Sequence, residues 1–327
     1  MRYAQIVLGP AGSGKTTYCK MFQEYLSACK RVCHIINLDP ATEEGIVFDH
    51  EKKSKKPGQK KEEINPFDTD IRDFVDIGAV VEEEELGPNG ALVRSAELLG
   101  ENIEWLAEQI EETYGDEAYL LFDTPGQIEL FIHIPYVKRI TQLLQRLGIN
   151  ALAVFLLDVS FMTDPSKLIS GSLAGLAAMV NLEMPHINIL SKCDLLYDAD
   201  TTGNINLKPF ADVTSSTFGL SKHHLNFQKS IMSGEDCEDM NYGTLCTSIN
   251  KSADDLVEAL DAHLPPTYRR LNTAFASLLE DFDLVGFLPL NINDELSLEQ
   301  ILVATDVALQ YGEEAEPSAK FDLSDTI

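Results

Sequence analysis

The segment Gly9-Pro10-Ala11-Gly12-Ser13-Gly14-Lys15-Thr16 constrains this chain more than any other. It fits G-x-x-x-x-G-K-[ST]. An apolar strand, Gln5 to Leu8, leads into it, and a helix from Thr16 to Cys29 leaves it with a Met21, Phe22, Tyr25, Leu26 face. Glycines let a backbone curl until successive N–H groups point at one anion, and the positive end of the following helix adds to the pull. Gly12, Ser13, Gly14, Lys15, Thr16 and Thr17 are therefore the expected phosphate-binding residues. Lys15 is placed to reach β- and γ-phosphates, and the Thr16 hydroxyl to ligate Mg²⁺. The plain alternative, a glycine-rich turn with an incidental lysine, is disfavoured by the strand before it and the helix after it.

The rest of the chain supplies a matching framework. Val32 to Leu38, Tyr119 to Phe122, Leu152 to Leu157 and His186 to Leu190 read as near-continuous apolar strands separated by helix-length segments, one of them closing over Gln142 to Leu147. Such alternation implies an α/β fold: right-handed crossovers and a mostly parallel central sheet with helices on both faces. Two stretches interrupt the pattern. Residues 51–63 (EKKSKKPGQKKEE) hold six lysines, three glutamates and no apolar residue, and read as a disordered, solvated loop, with a nuclear-import or anionic-surface address as the alternative. Residues 197–251 are polar and read as an irregular insertion with short helices. The expected organisation is one domain over residues 1–312 with these insertions, followed by an acidic, unstructured tail over 313–327.

Charge excludes one class of partner. Fifty-three acidic residues against 25 basic give a net charge of −28. Such a field repels phosphate backbones, so direct nucleic-acid binding is not expected. The longest apolar run, Ala151 to Leu157, is far short of the ~18 residues that span a bilayer, so no membrane is expected either. Tyr3 to Leu8 runs straight into the glycine loop without a signal-peptide pattern, which gives a cytosolic or nuclear expectation. Six scattered cysteines without a C-x-x-C pair read as reduced thiols.

A phosphate loop needs a second metal anchor and a means of placing water. The strand from Tyr119 ends at Asp123, followed by Thr124-Pro125-Gly126-Gln127. Asp123 can hold Mg²⁺ through water, Gly126 lets the backbone approach the γ-phosphate, and Gln127 can orient an attacking water. Glu129 can touch the same water, or can be a solvated glutamate at a helix start. Asp39 ends the strand through Leu38 and either faces metal and water or bonds its own turn. Downstream, Ser191-Lys192-Cys193-Asp194 follows a strand and matches [NTS]-K-x-D. The Asp194 carboxylate can accept from N1–H and the exocyclic N2–H₂ of guanine, whereas adenine offers neither donor and would leave that charge unpaired. The Lys192 stem can lie along the base. Phe287 to Leu290 ends a further apolar strand whose following loop can cover the base edge.

One more tripeptide completes a pattern. Gly87-Pro88-Asn89 follows the acidic run Glu82 to Glu85. With GPAGSGKTT, NLDPA, DTPGQIEL and SKCD in that order, it closely resembles the GPN-loop GTPases, most of all their third eukaryotic paralogue, which the opening MRYAQ and the ending ALQYGEE are similar to. The resemblance covers about Met1 to Gly312, apart from the lysine-rich loop and much of 197–251. It implies a P-loop NTPase fold, a Mg²⁺-dependent GTPase, and a homodimer or a heterodimer with a paralogue. Gly87 and Pro88 would then reach the partner's nucleotide and Asn89 would act in trans near the γ-phosphate, while Asp39, Gln127 and Glu129 handle water. The eukaryotic members are implicated in assembly and nuclear import of RNA polymerase II, which implies polymerase subunits or assembly factors as partners and a cytoplasmic protein that shuttles to the nucleus. Gly9 to Ser13 lacks the extra lysine of a related dimeric branch, and no obvious arginine finger is visible.

Two rival readings stay open. A P-loop kinase would pass phosphate to a small acceptor, but such enzymes usually need lid arginines, and few basic residues lie outside the lysine loop. A nucleotide-binding scaffold would bind GTP and scarcely turn it over.

Overall fold

The computed structural model describes residues 1–42, 67–197, 257–258, 260–261, 264–281 and 286–313. The lysine-rich loop, nearly all of the polar insertion, the acidic tail after Glu313, Cys237 and Cys246 lie outside the described residues.

Seven strands form one sheet: β1 (Tyr3–Leu8), β2 (Cys33–Asn37), β3 (Thr69–Asp70), β4 (Tyr119–Asp123), β5 (Asn150–Asp158), β6 (His186–Ser191) and β7 (Phe287–Pro289). Their order is β3-β2-β4-β1-β5-β6-β7, and every pair is parallel. Helices run in chain order as α1 (Lys15–Ala28), α2 (Ile77–Glu83), α3 (Pro88–Glu101), α4 (Ile103–Thr113), α5 (Ile128–Ile132), α6 (Tyr136–Arg146), α7 (Pro165–Leu182), α8 (Asp194–Tyr197), α9 (Arg269–Asp281) and α10 (Glu295–Leu309). None of the described helices is long and apolar enough to cross a membrane.

The strands are buried on both faces, which is why they read as continuous apolar runs rather than as an alternation. Side chains of one parity, including Tyr3, Val7, Leu121, Val154 and Ile189, pack under α1 and α10. The other parity, including Ala4, Ile6, Phe122, Phe155 and Leu190, packs under helices α3 to α7 and α9. Strand register then sets the site. Asp70 pairs with Asn37, Asn37 with Asp123, Asp123 with Val7, and Asp158 with Ser191, so the carboxyl ends of six strands share one edge. The strand order departs from β1 in both directions, and ligands bind α/β sheets in the crevice outside the carboxyl ends at such a switch point. The glycine loop lies directly on it.

The helix expected to close over Gln142 to Leu147 does so: it runs from Tyr136, behind Pro135, to Arg146, with Leu147 as its cap. Two other features differ from expectation. The two-residue strand β3 is too short to leave a periodic signal. Strand β2 stops at Asn37, so Asp39 does not end it. The Asn37 side chain accepts from the Asp39 N–H and donates to the Asp39 carbonyl, and this local turn replaces the ladder.

Candidate nucleotide site

The loop between β1 and α1 owes its shape to glycine. Gly9, Gly12 and Gly14 have φ of +144°, +77° and +89°, in the left-handed half of backbone space. A Cβ on Gly9 would also stand 2.3 Å from the Leu156 carbonyl oxygen, so β5 closes against the base of the loop. Lys15 opens α1 and folds inward, donating to the carbonyls of Gly9 and Pro10 at 3.1 Å each. Burial lowers its pKa, against the pull of Asp123 and Asp39. Both carboxylates therefore stand close enough to feel the charge that the sequence assigns to the phosphates.

Thr16 and Asp123 meet as expected: the Thr16 hydroxyl donates to Asp123 Oδ2 at 2.6 Å. Burial pushes the Asp123 carboxyl up to about 6, against the Thr16 bond and Lys15. Its other oxygen, Oδ1, is buried without a partner. A hydroxyl and a carboxylate are hard oxygen donors, and two protein ligands suit Mg²⁺, which keeps several waters and takes further oxygens from phosphates. No group of three or more His, Cys, Asp or Glu side chains able to hold a metal occurs among the described residues. The residues thus fit Mg²⁺ shared with a nucleotide and do not form a closed structural metal cage.

Asp123 Oδ1 has company. Five buried side-chain polar atoms lack a hydrogen-bond partner among the described residues: Ser13 Oγ, Asp123 Oδ1, Gln127 Oε1, Asp194 Oδ1 and His186 Nδ1. The first four all belong to residues expected to bind nucleotide or to place water. Orphaned buried polar atoms cost about 1–3 kcal/mol each, so their concentration at one place marks a surface made for a polar ligand.

The water-handling residues come into view with less uniformity. Gln127 caps α5 and Glu129 stands exposed in its first turn. A Cβ on Gly126 would stand 2.6 Å from Ala11 Cα and 2.9 Å from Ala11 N, so this glycine allows the Gln127 segment to lie on the phosphate loop itself. Replacing Gly126 by Ala must move one backbone from the other, and a shift of this size is expected to cut turnover of the bound nucleotide about 10–100-fold. A phosphate-release assay on G126A checks this; a wild-type rate would show that the close approach is dispensable. Asp39 Oδ1 accepts from the Ala41 N–H at 3.0 Å, so the turn-bonding reading holds, and burial raises its pKa against that bond and Lys15. It nevertheless interacts electrostatically with both Lys15 and Asp123, as a residue facing the metal would. Gly87, Pro88 and Asn89 sit exposed at the start of α3, with Pro88 at its first position. None of the three shares a hydrogen bond with the phosphate loop among the described residues.

The base-reading segment is tied to the phosphate loop directly. Ser191 Oγ donates to the Ser13 carbonyl at 2.7 Å and contacts the Leu157 carbonyl at 3.2 Å, joining positions 178 apart in sequence. Lys192 has φ of +60° and its ammonium meets Asp158 Oδ2 at 2.6 Å. Burial raises the Asp158 carboxyl, but the bonds from Lys192 and Ser160 outweigh it and hold the group below its ordinary range. Cys193 N–H donates to the Leu290 carbonyl, and Leu290 N–H donates to that of Leu190, so β7 packs beside the segment as expected. Asp194 then opens α8 with its Oδ1 orphaned. Two residues bonded to these segments escaped the sequence reading. Asp158 carried a signal, as a carboxylate at the carboxyl end of a strand. Arg72, bound to Asp70 through Nε and Nη2, carried none, because it lies in a three-residue turn of helix behind a strand of only two residues.

Comparison with known proteins agrees with this geometry. A family profile described as "conserved hypothetical ATP binding protein" matches residues 7–48 and 61–311. GPN-loop GTPase 3 of Dictyostelium discoideum is 39% identical over 316 residues, covering 97% of this chain and 90% of that protein. GPN-loop GTPase 3 of Saccharomyces cerevisiae is 37% identical over 328 residues, covering 99% of both. The chain belongs to the GPN-loop GTPase family. A solved GTPase in apo form from Pyrococcus abyssi shares the fold of this family member with a TM-score of 0.58 at 21% identity, over 94% of this chain and 97% of that one. The profile's description names ATP and the relatives' names GTP. One Asp194 carboxylate oxygen, Oδ1, is buried without a partner among the described residues, and guanine offers at its N1–H and N2–H₂ edge a pair of donors that adenine lacks there.

Proposed function

We propose that this chain is a Mg²⁺-dependent, GTP-driven switch that works as a dimer in the assembly of a large complex. GTP binding and hydrolysis follow from membership of the GPN-loop GTPases. The observation that carries the site assignment is the 2.7 Å hydrogen bond from Ser191 to the Ser13 carbonyl, which fixes a guanine-reading segment against a phosphate loop.

In this reading the loop N–H groups from Gly12 to Thr17 hold the phosphates, and Lys15 swings from the Gly9 and Pro10 carbonyls to neutralise β- and γ-oxygens. Thr16 and Asp123 would hold Mg²⁺, which would supply charge neutralisation at the phosphate oxygens. Gln127 Oε1 accepts one hydrogen of the attacking water and so aims it, and either Asp39 or Glu129 accepts the other. Lys192 is clamped by Asp158 alongside the base, and Asp194 reads its edge. Asn89 of one protomer completes the γ-phosphate site of its partner, a homodimer mate or a paralogue; the exposed start of α3 is compatible with this, because it leaves Asn89 accessible to a second chain. GTP favours the closed pair and GDP the open one, which is the differential affinity any switch requires. RNA polymerase II subunits or their assembly factors are the proposed clients, and the cytoplasm, with shuttling to the nucleus, the proposed location.

The dimer has its own test. Turnover per molecule is expected to rise with protein concentration until the pair saturates, and Asn89→Ala is expected to flatten that rise while leaving GTP affinity within about threefold. Turnover per molecule that stays constant down to a demonstrably monomeric range would remove the trans role.

A further inference from the structure

The carboxyl ends of β2 and β3 hold a closed ring of hydrogen bonds that no reading of nucleotide contact requires. Asn37 is fully buried and uses its whole amide. Its oxygen accepts from Asp39 N–H at 3.0 Å and Thr42 Oγ1 at 3.2 Å, and its nitrogen donates to the Asp39 carbonyl at 3.1 Å and to Asp70 Oδ1 at 3.0 Å. Asp70 is 2% exposed and is gripped by Arg72 through the backbone N–H, Nε and Nη2, the last at 2.6 Å. Arg72 Nη1 reaches on to the Thr42 carbonyl at 3.4 Å, and the one Thr42 hydroxyl proton is shared between Asn37 Oδ1 and the Asp39 carbonyl, the latter at 3.0 Å. Residues 39 to 42 are thus held at the Asp39 N–H, the Asp39 carbonyl, the Thr42 hydroxyl and the Thr42 carbonyl.

We infer that Arg72 is a positioning residue for Asp39, acting through Asp70, Asn37 and Thr42. The inference rests on the water-handling role proposed for Asp39. Its physical content is that a carboxylate on a short turn has the backbone freedom of a loop unless that backbone is fixed, and a reacting group displaced by about 1 Å loses up to ~10²-fold in rate. Arg72 suits the task because its planar fork binds one carboxylate with two nitrogens and keeps the third for the turn. The ionised state of Asp70 is secured by the same contacts: burial raises its carboxyl, but the Arg72 and Asn37 bonds together hold it below the ordinary range. Arg72 is therefore not offered as a charge to the phosphates, since its guanidinium is committed to Asp70.

The test is single-turnover GTP hydrolysis, GDP affinity by calorimetry and thermal melting on the full chain. Arg72→Ala is expected to lower the rate about 10–100-fold with GDP affinity within threefold of wild type, the range seen when a supporting partner of a site ligand is removed. Arg72→Lys keeps the charge and loses the fork, so it should fall between the two. Thr42→Val removes one hydroxyl from the ring without disturbing Asp70, and should slow hydrolysis by at least about threefold even if R72A folds poorly. The decisive comparison is made with Asp39→Asn. In that background Arg72→Ala should change the rate less than twofold, because the residue it positions has already been disabled. Full multiplication of the two effects, equal losses of rate and GDP affinity in R72A and R72K, or a wild-type rate in T42V would each overturn the positioning role. A wild-type rate in D39N would instead overturn the role of Asp39, and this inference with it.

Discussion

Asp194→Asn is expected to weaken GTP binding by about 10²–10³-fold and to turn the preference toward xanthosine triphosphate. Two charge-assisted hydrogen bonds, from guanine N1–H and N2–H₂, are each worth about 1.5–3 kcal/mol, and about 1.4 kcal/mol is a factor of ten. Asparagine keeps one acceptor and turns a donor toward a donor, so most of that energy is lost. Xanthine carries an oxygen where guanine carries the 2-amino group, and the asparagine NH₂ can donate to it. The orphaned Asp194 Oδ1, set at the start of α8 beside β7, is the observation behind this expectation. The same reasoning predicts strong preference of the wild type for GTP over ATP. Calorimetry with GTP, ATP and xanthosine triphosphate on both proteins checks it. Equal affinity of the wild type for ATP and GTP would remove Asp194 as the base reader and would favour the ATP named in the family profile's description.

Gln127→Leu is the complementary case, with its effect on rate and not on affinity. Leucine keeps the approximate volume and removes the amide oxygen that is buried without a partner next to the phosphate loop. Losing one preorganised polar group at a reacting centre costs about 10²–10³-fold in rate. GTP affinity should stay within about threefold, because phosphates and base are held by other residues. Single-turnover release of phosphate, without any acceptor molecule, separates the three readings. A GTPase releases phosphate and Q127L largely stops it. A kinase releases little without its acceptor. A scaffold is slow throughout, and Q127L leaves its rate unchanged.

The parts of this site that were legible in the sequence are those whose chemistry depends on neighbours in the chain. The glycine loop, the Asp123-to-Gln127 turn and the Ser191-to-Asp194 segment each sit at the carboxyl end of a strand, and a parallel sheet brings such ends to one edge whatever the intervening length. Leu290 was legible for the same reason, since β7 adds to β6 in parallel register. The supporting pairings were not legible, even where a member such as Asp158 carried a signal of its own. Asp158 is bound to Lys192 across two strands, and the ring of Asn37, Asp70 and Arg72 is assembled from segments 33 positions apart. Such pairings depend on strand order and register, which local pattern does not encode. Strand β2 stops two residues before Asp39 for a local reason. Asn37, its last residue, competes for the backbone that would have continued the strand.

The central claim is that residues 9–17 and 191–194 hold the two ends of one guanine nucleotide. The most direct measurement is a crystal structure of the full chain with Mg²⁺ and a non-hydrolysable GTP analogue. The account predicts phosphates on the N–H groups of Gly12 to Thr17, the metal on Thr16 and Asp123, and the ring against Lys192 with its N1 and N2 edge on Asp194. A base lodged away from Asp194, or a triphosphate bound outside the loop, would contradict it.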